Sequence, residues 1–265
     1  MTKISFRDFG MIAGICLMLS LSPLPSLAQN KNIIVDETLA ASSDMFKVKI
    51  GSSKWGGIMR FKFGDYAVVD SKRGWKVTNS KTNFINTKSE KNAESKFYFV
   101  LSDQSNDSAF VNAMNNVEMQ QFKQNGWLTY FDIDVDYSET VMRHNFFTSL
   151  ITTASNKEDT WVLLLDQTYG SGVEYEFEGL LQNDDQRISF IIASSNKYGN
   201  DERDFPALGF EFYEKGLALC AVQYYGGGAL GLNKNIIWLK SDLDARMKLI
   251  LAAAMTSLMQ YKFPG

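Results

Sequence analysis

Asp132, Asp134 and Asp136 occupy alternate positions in Phe131-Asp132-Ile133-Asp134-Val135-Asp136-Tyr137. Clustered carboxylates are the donors that hard cations prefer, which makes this run a candidate calcium site. An EF-hand loop needs Gly at its sixth position and Glu at its twelfth. Counted from Asp132, those places hold Tyr137 and Arg143, so that loop is excluded. Three acids along one side of a strand remain. Glu174, Glu176 and Glu178 repeat the arrangement, and Lys47/Lys49 and Arg60/Lys62 present the opposite charge in the same way. Acidic and basic strands lying side by side would pair across a sheet, each pair contributing roughly 0.2–1 kcal/mol. Two acidic neighbours would instead need a cation, the basis for reading a calcium-stabilised structural module. Two acids flanking a bond also suffice for a glycosidase-like hydrolase. Acids on a wet alternating face, however, lack the desolvation that raises a catalytic pKa.

The remaining reactive residues are few. His144, the only histidine, stands between Arg143 and Asn145 and reads as a surface or hydrogen-bonded residue. Gly170-Ser171-Gly172 lacks the spacing of a nucleophile elbow. Gly226-Gly227-Gly228-Ala229-Leu230-Gly231 satisfies GxGxxG, yet a strand-like run, Asn235–Leu239, follows where a dinucleotide site needs a helix. Cys220 lies in the apolar run Leu217–Val222 and reads as a buried thiol. No cofactor is expected. Aromatic residues beside glycines are the better binding signal, because exposed rings there stack on sugars or hold apolar ligands. The candidate ligand-binding residues are Trp55, Tyr224, Tyr225 and Trp238.

Such residues must be held by strands, since the dominant rhythm is period two. Phe46–Ile50, Met59–Phe63, Phe131–Tyr137 and Val173–Glu178 all alternate apolar with charged side chains. That pattern belongs to antiparallel sheets with one buried and one wet face. Phe97–Leu101, Thr160–Leu165 and Ile188–Ala193 suit more central strands. Asp184-Asp185 and Lys215-Gly216 fall where hairpin turns belong. Phe110, Met114, Val117 and Gln121/Phe122 have helical spacing, which predicts a helix over 108–124 with Asp107 as N-cap. A second helix is predicted from Asp242 to Lys262, capped by Ser241 and apolar around most of its circumference. Residues 140–153 fit either period, and the polar stretch Ser155–Asp159 before Trp161 favours a strand.

Residues 1–28 have the layout of a cleavable signal peptide: Lys3 and Arg7, the apolar run Gly10–Leu21, then Ser26-Leu27-Ala28 before Gln29. The apolar run is too short to span a bilayer. Without this leader the chain keeps one cysteine, Cys220, so an internal disulfide is impossible. Over all 265 residues, 45% are hydrophobic, only 1 is histidine and the formal charge is −3. These figures exclude general disorder and a His/Cys metal cluster, and they carry no nucleic-acid footprint. The expectation is an exported protein, periplasmic, cell-surface or secreted, with one β-rich domain over 29–265. Its fold would be an antiparallel sandwich or partly open barrel with the C-terminal helix packed on the sheet. Residues 78–96, rich in Lys and Glu, would form a mobile loop or long hairpin tip. The expected role is non-catalytic binding of an apolar or glycan ligand or of another envelope protein, with no transmembrane span in the mature chain.

Overall fold

The computed structural model describes residues 32–51, 58–74, 76–82, 88–104, 107–123, 138–170, 173–196, 205–227 and 235–263. A short helix, α1 (Glu37–Ser42), leads into β1 (Ser43–Lys47), β2 (Lys49–Gly51), β3 (Arg60–Phe63), β4 (Tyr66–Arg73) and β5 (Val77–Thr82). Three long strands follow: β6 (Lys88–Ser102), β7 (Ser108–Lys123) and β8 (Ser138–Thr153). Next come β9 (Trp161–Gly170), β10 (Val173–Gln182), β11 (Arg187–Ser194), β12 (Leu208–Glu214), β13 (Leu217–Tyr225) and β14 (Ile236–Lys240). The last element is α2 (Ala245–Lys262).

All strand pairs are antiparallel and nearly all join sequence neighbours, in the order β1-β14-β13-β12-β11-β10-β9-β8-β7-β6-β4-β3-β2, with β5 also on β6. The two ends of this sheet, β1 and β2, are one extended segment interrupted only at Val48. Its first half bonds to β14 and its second half to β3, while the Val48 N–H donates to the Asn235 carbonyl at 2.9 Å. The sheet is thereby nearly closed into a barrel, which leaves few strand edges open to another chain. Lys215 and Gly216, at φ 50° and 83°, make the tight β12–β13 turn, where glycine enters the left-handed region at little cost.

Alternation sorts the side chains. Phe99/Leu101, Val111/Ala113, Phe147/Ile151, Leu163/Leu165, Phe210/Phe212 and Val222/Ile237 are buried in one core cluster with α2. The helix touches β7 and β8 as well as β13 and β14, strands far apart in the sheet order, so it lies inside the curl. Every residue from Leu249 to Gln260 is buried, as a helix apolar all round requires. Its hydroxyls are satisfied locally: Thr256 Oγ1 donates to the Ala252 carbonyl at 2.8 Å and Ser257 Oγ to that of Ala253 at 3.0 Å. Ser257 Oγ also meets Ser149 Oγ of β8 at 3.1 Å. Arg246, in the helix's first turn, pairs with Asp159. Asp159 also accepts from Trp161 Nε1 at 2.9 Å and Asn183 Nδ2 at 2.7 Å, so one carboxylate locks the helix start to two strand ends.

Two expectations are corrected. The helix over 108–124 is the strand β7. Its 3.6-residue spacing is genuine, but Ala109, Val111 and Ala113 also alternate, and pairing with β6 and β8 along the whole length outweighs local spacing. Asp107 therefore caps no helix; it accepts from the Ser155 N–H at 3.1 Å and fixes the β8–β9 turn. The N-cap of α2 is Asp244, accepting from the Met247 N–H at 2.9 Å, rather than Ser241. The stretch 78–96 takes the hairpin form, β5 pairing with the first half of β6. Residues 140–153 are strand β8.

A second, smaller cluster sits on the outer face, where Ile33 and Leu39 cover Ala193, Ala207, Ala218, Ala221 and Trp238. This strap is pinned by the Ile33 N–H to Gln223 Oε1 at 2.8 Å and the Asp36 N–H to Glu211 Oε1 at 2.7 Å. Burial pushes the Glu211 carboxyl up, partly offset by the hydrogen bonds it accepts from the Asp36 N–H and, at 2.7 Å, the Tyr213 hydroxyl. A Cβ at Gly209 would stand 2.3 Å from the Val222 carbonyl oxygen and 2.8 Å from Ile33 Cδ1. Gly209→Ala is therefore expected to cost about 1–3 kcal/mol through overpacking. Urea unfolding measures this, and hydrogen exchange at 33–42 should rise with it; an unchanged midpoint would mean the strap does not bear on β12.

Candidate functional site

The sheet is wider than the helix can fill. Along β7, Val111 and Ala113 pack in the core, and the next same-face positions are Asn115, Val117 and Met119. The register sets each of these beside residues of β6, β8 and β9. Asn115 lies opposite Ser95 and Phe147, Val117 opposite Ala93 and Asn145, and Met119 opposite Arg143, which itself faces Tyr169. The interior thus turns from aliphatic to polar as α2 ends, and Gln260, Tyr261 and Lys262 form the floor of a cavity of about 470 Å³. Phe97, Val117 and Met119 give it an apolar wall.

Its electrostatics are cationic. Arg143, Lys262, Arg73, Lys76 and Lys96 line it, and Glu94, which pairs with Lys96 at 2.8 Å, is the one carboxylate among the described lining residues. The Arg143 guanidinium donates through Nε to Asn145 Oδ1 at 3.1 Å and stands 5.6 Å from the Tyr169 ring centroid. Asn145 Nδ2 reaches the Tyr169 hydroxyl at 3.4 Å, so this residue orients both neighbours. The Lys262 ammonium sits among rings, 4.9 Å from Tyr261, 5.4 Å from Tyr224 and 5.6 Å from Phe210. Burial, together with the charge of Arg143, brings its pKa from 10.5 down to about 8. Burial also pushes the Tyr224 and Tyr261 phenols up to about 12, so both remain neutral donors at ordinary pH. Among the described residues, neither Arg143 nor Lys262 has a carboxylate partner. Among the described lining residues, the solvent-shielded oxygens Asn115 Oδ1 and Gln260 Oε1 lack donors.

The residues proposed from sequence are dispersed. Tyr224 points inward at this end of the barrel, its ring 5.3 Å from Phe210. Tyr225, one position on, is half-buried opposite Leu208. Trp238 is 7% exposed beneath the N-terminal strap, on the other side of the sheet, and belongs to that packing. Trp55 and the acidic triplet Asp132, Asp134 and Asp136 lie outside the described residues. Among the described residues, no three His, Cys, Asp or Glu gather as metal ligands. Glu176 and Glu178 are exposed, with Glu178 Oε1 3.9 Å from Arg187, and Lys49 faces Lys62; among the described residues, the acidic strand β10 lies beside β9 and β11 and does not meet the basic strands β1 to β3. His144 is on the outer face, 2.7 Å from Asp166. Cys220 is buried and its thiol pushed well up by burial. What the sequence reading missed is Arg143, Asn145 and Lys262. The alternation Arg143, Asn145, Phe147, Ser149, Ile151 was legible, but its polar end looks like solvent exposure until the sheet is curled.

The chain matches no family model, no curated protein and no solved structure. Likeness to known proteins therefore contributes nothing here, and function rests on the cavity. Among the described residues, no helix is long and apolar enough to cross a membrane.

Proposed function

We propose that this protein is an exported, non-catalytic binding protein whose barrel mouth holds a small organic anion with an apolar body. One observation carries the reading: Arg143 and Lys262 share one cavity without a carboxylate partner among the described residues. Two like charges in a partly desolvated space repel each other, and a bound anion relieves that repulsion while forming charge-assisted hydrogen bonds. Phe97, Val117 and Met119 supply the apolar contact that distinguishes such a ligand from a free inorganic ion. The leader-like segment 1–28 supports a role outside the cytoplasm.

The test is a fluorescence titration with 8-anilinonaphthalene-1-sulfonate, a sulfonate on an aromatic body, followed by displacement with 3-phenylpropanoate. Saturable one-to-one binding is expected, weakened about tenfold or more by Arg143→Ala, as befits loss of a charged hydrogen bond. Binding should also weaken as pH rises through about 8, because the Lys262 ammonium then loses its proton. Lys262→Arg should flatten that profile, since a guanidinium stays charged. Dye binding indifferent to both substitutions would reject the site.

A further inference from the structure

Asn145, on β8 and 5% exposed, is the hub of the cavity's hydrogen bonding. Its Oδ1 accepts from Arg143 Nε at 3.1 Å, and its Nδ2 donates to the Tyr169 hydroxyl at 3.4 Å. The same side chain hydrogen-bonds the Tyr261 phenol. A phenol oxygen that accepts still has its own proton to place. Among the described residues, neither hydroxyl donates to another group. Arg143, Asn145, Tyr169, Tyr261 and Lys262 all line the cavity, so one amide gathers two O–H donors and a guanidinium beside an ammonium. The stack of Tyr261 on Phe147, 4.8 Å between centroids, fixes one of those rings. The pattern repeats on the next strand, where Gln167, directly opposite Asn145 and 7% exposed, donates to the Tyr175 hydroxyl at 3.3 Å.

A carboxylate would bring one charge and two oxygens to two cations and two hydroxyls. A phosphate monoester brings nearly two charges and three terminal oxygens, and so matches both counts. Resting on the anion-binding reading above, we propose that the ligand is a phosphate monoester of an apolar group, its oxygens shared among Arg143, Lys262 and the Tyr169 and Tyr261 hydroxyls, with Asn145 as the positioning residue. Hydrogen bonds from ionised donors to an oxyanion are the strong class. A guanidinium held through Nε leaves its terminal N–H groups for two of the oxygens. Inorganic phosphate offers the same head but leaves Phe97, Val117 and Met119 uncovered. A sulfate monoester offers the same three oxygens with one charge.

Calorimetric titration of the full chain with phenyl phosphate, phenyl sulfate, 3-phenylpropanoate and inorganic phosphate tests this. At about pH 7.5, phenyl phosphate should bind about tenfold more tightly, or better, than either phenyl sulfate or inorganic phosphate. Its advantage over the sulfate should fade toward about pH 5, because the second phosphate pKa is about 6. The sulfate keeps one charge throughout and so reports any change in the protein itself. Tyr169→Phe and Tyr261→Phe should each weaken phenyl phosphate about three- to tenfold, the worth of one hydrogen bond, and 3-phenylpropanoate less. Asn145→Leu should weaken phenyl phosphate further, and adding Tyr169→Phe to that variant should cost little more, since the hydroxyl has lost its guide. Melting temperatures are recorded for every variant. Fully additive losses would make Asn145 structural alone and overturn its positioning role. Equal binding of phosphate and sulfate, a preference undiminished at low pH, inorganic phosphate as tight as the ester, or phenol variants that bind phenyl phosphate unchanged would each overturn the proposal. If 3-phenylpropanoate binds through Arg143 without any phosphate preference, only this inference fails; if none of the probes binds, the anion site fails and takes the inference with it.

Discussion

An aspartate in place of Ala253 is expected to prevent folding. Ala253 is fully buried midway along α2, where the neighbouring residues Leu249 to Gln260 are enclosed on every side. A carboxylate there meets neither water nor a partner, and burying an unpaired charge costs several kcal/mol. That is comparable with the whole stability of a typical domain, about 5–15 kcal/mol. A helix lying on the outside of a sheet could roll the new charge toward solvent, whereas the enclosed α2 has no solvent-facing side over Leu249–Gln260. Lys248→Asp is the control, since Lys248 is only half-buried at the helix start and its Nζ reaches the Ser241 carbonyl at the exposed surface, 2.6 Å away. Circular dichroism melts should show a cooperative transition for the control and none for Ala253→Asp. A variant melting within a few degrees of the parent would mean that the helix is not the barrel's core.

Replacing Lys262 with methionine should separate binding from stability. The ammonium is held in a half-buried position beside another cation, an arrangement that serves a ligand and burdens the empty protein. Methionine keeps the stem packed against Phe210, Tyr224 and Tyr261 and removes the charge. Binding of an organic anion should fall about tenfold or more, while the melting temperature at pH 7 rises by roughly 2–4 °C, the shift that about 1 kcal/mol makes in a domain of this size. The sign of the pH dependence is fixed. The pKa in the folded protein, about 8, lies below the ordinary 10.5, so the unfolded chain binds more protons between those values. Stability of the parent should therefore climb from pH 8 toward 10, and its deficit against Lys262→Met should shrink. The Tyr224 and Tyr261 phenols, raised to about 12, act in the opposite sense above pH 10 in both proteins. A variant that loses stability and keeps binding would show that Lys262 is a structural cation held by its three rings.

Much of this fold was legible as sequence. Alternating polarity identified β1, β2, β3 and β10, run length and β-branched content identified β6, β9 and β11, and Lys215-Gly216 marked the true turn between β12 and β13. The apolar girth of α2 placed it against the sheet, and its enclosure on every side came only with the curl of that sheet. The helix misread over 108–124 has a plain cause. Val117 and Phe110 satisfy both a 3.6 and a mixed spacing, and only neighbours from β6 and β8, distant in the chain, choose between them. The site was the least legible part, because a polar residue at an inward position and one at an outward position look identical along a strand.

Local polarity rhythm, set by each residue's own affinity for water, determined where strands and the buried helix would form. Closure of the sheet through Ser43–Gly51, the choice of which face curls inward, and the meeting of Arg143 with Lys262 belong to the tertiary structure alone. They depend on contacts between residues more than a hundred positions apart, and period-two patterning is the same on a flat sheet as on a closed one.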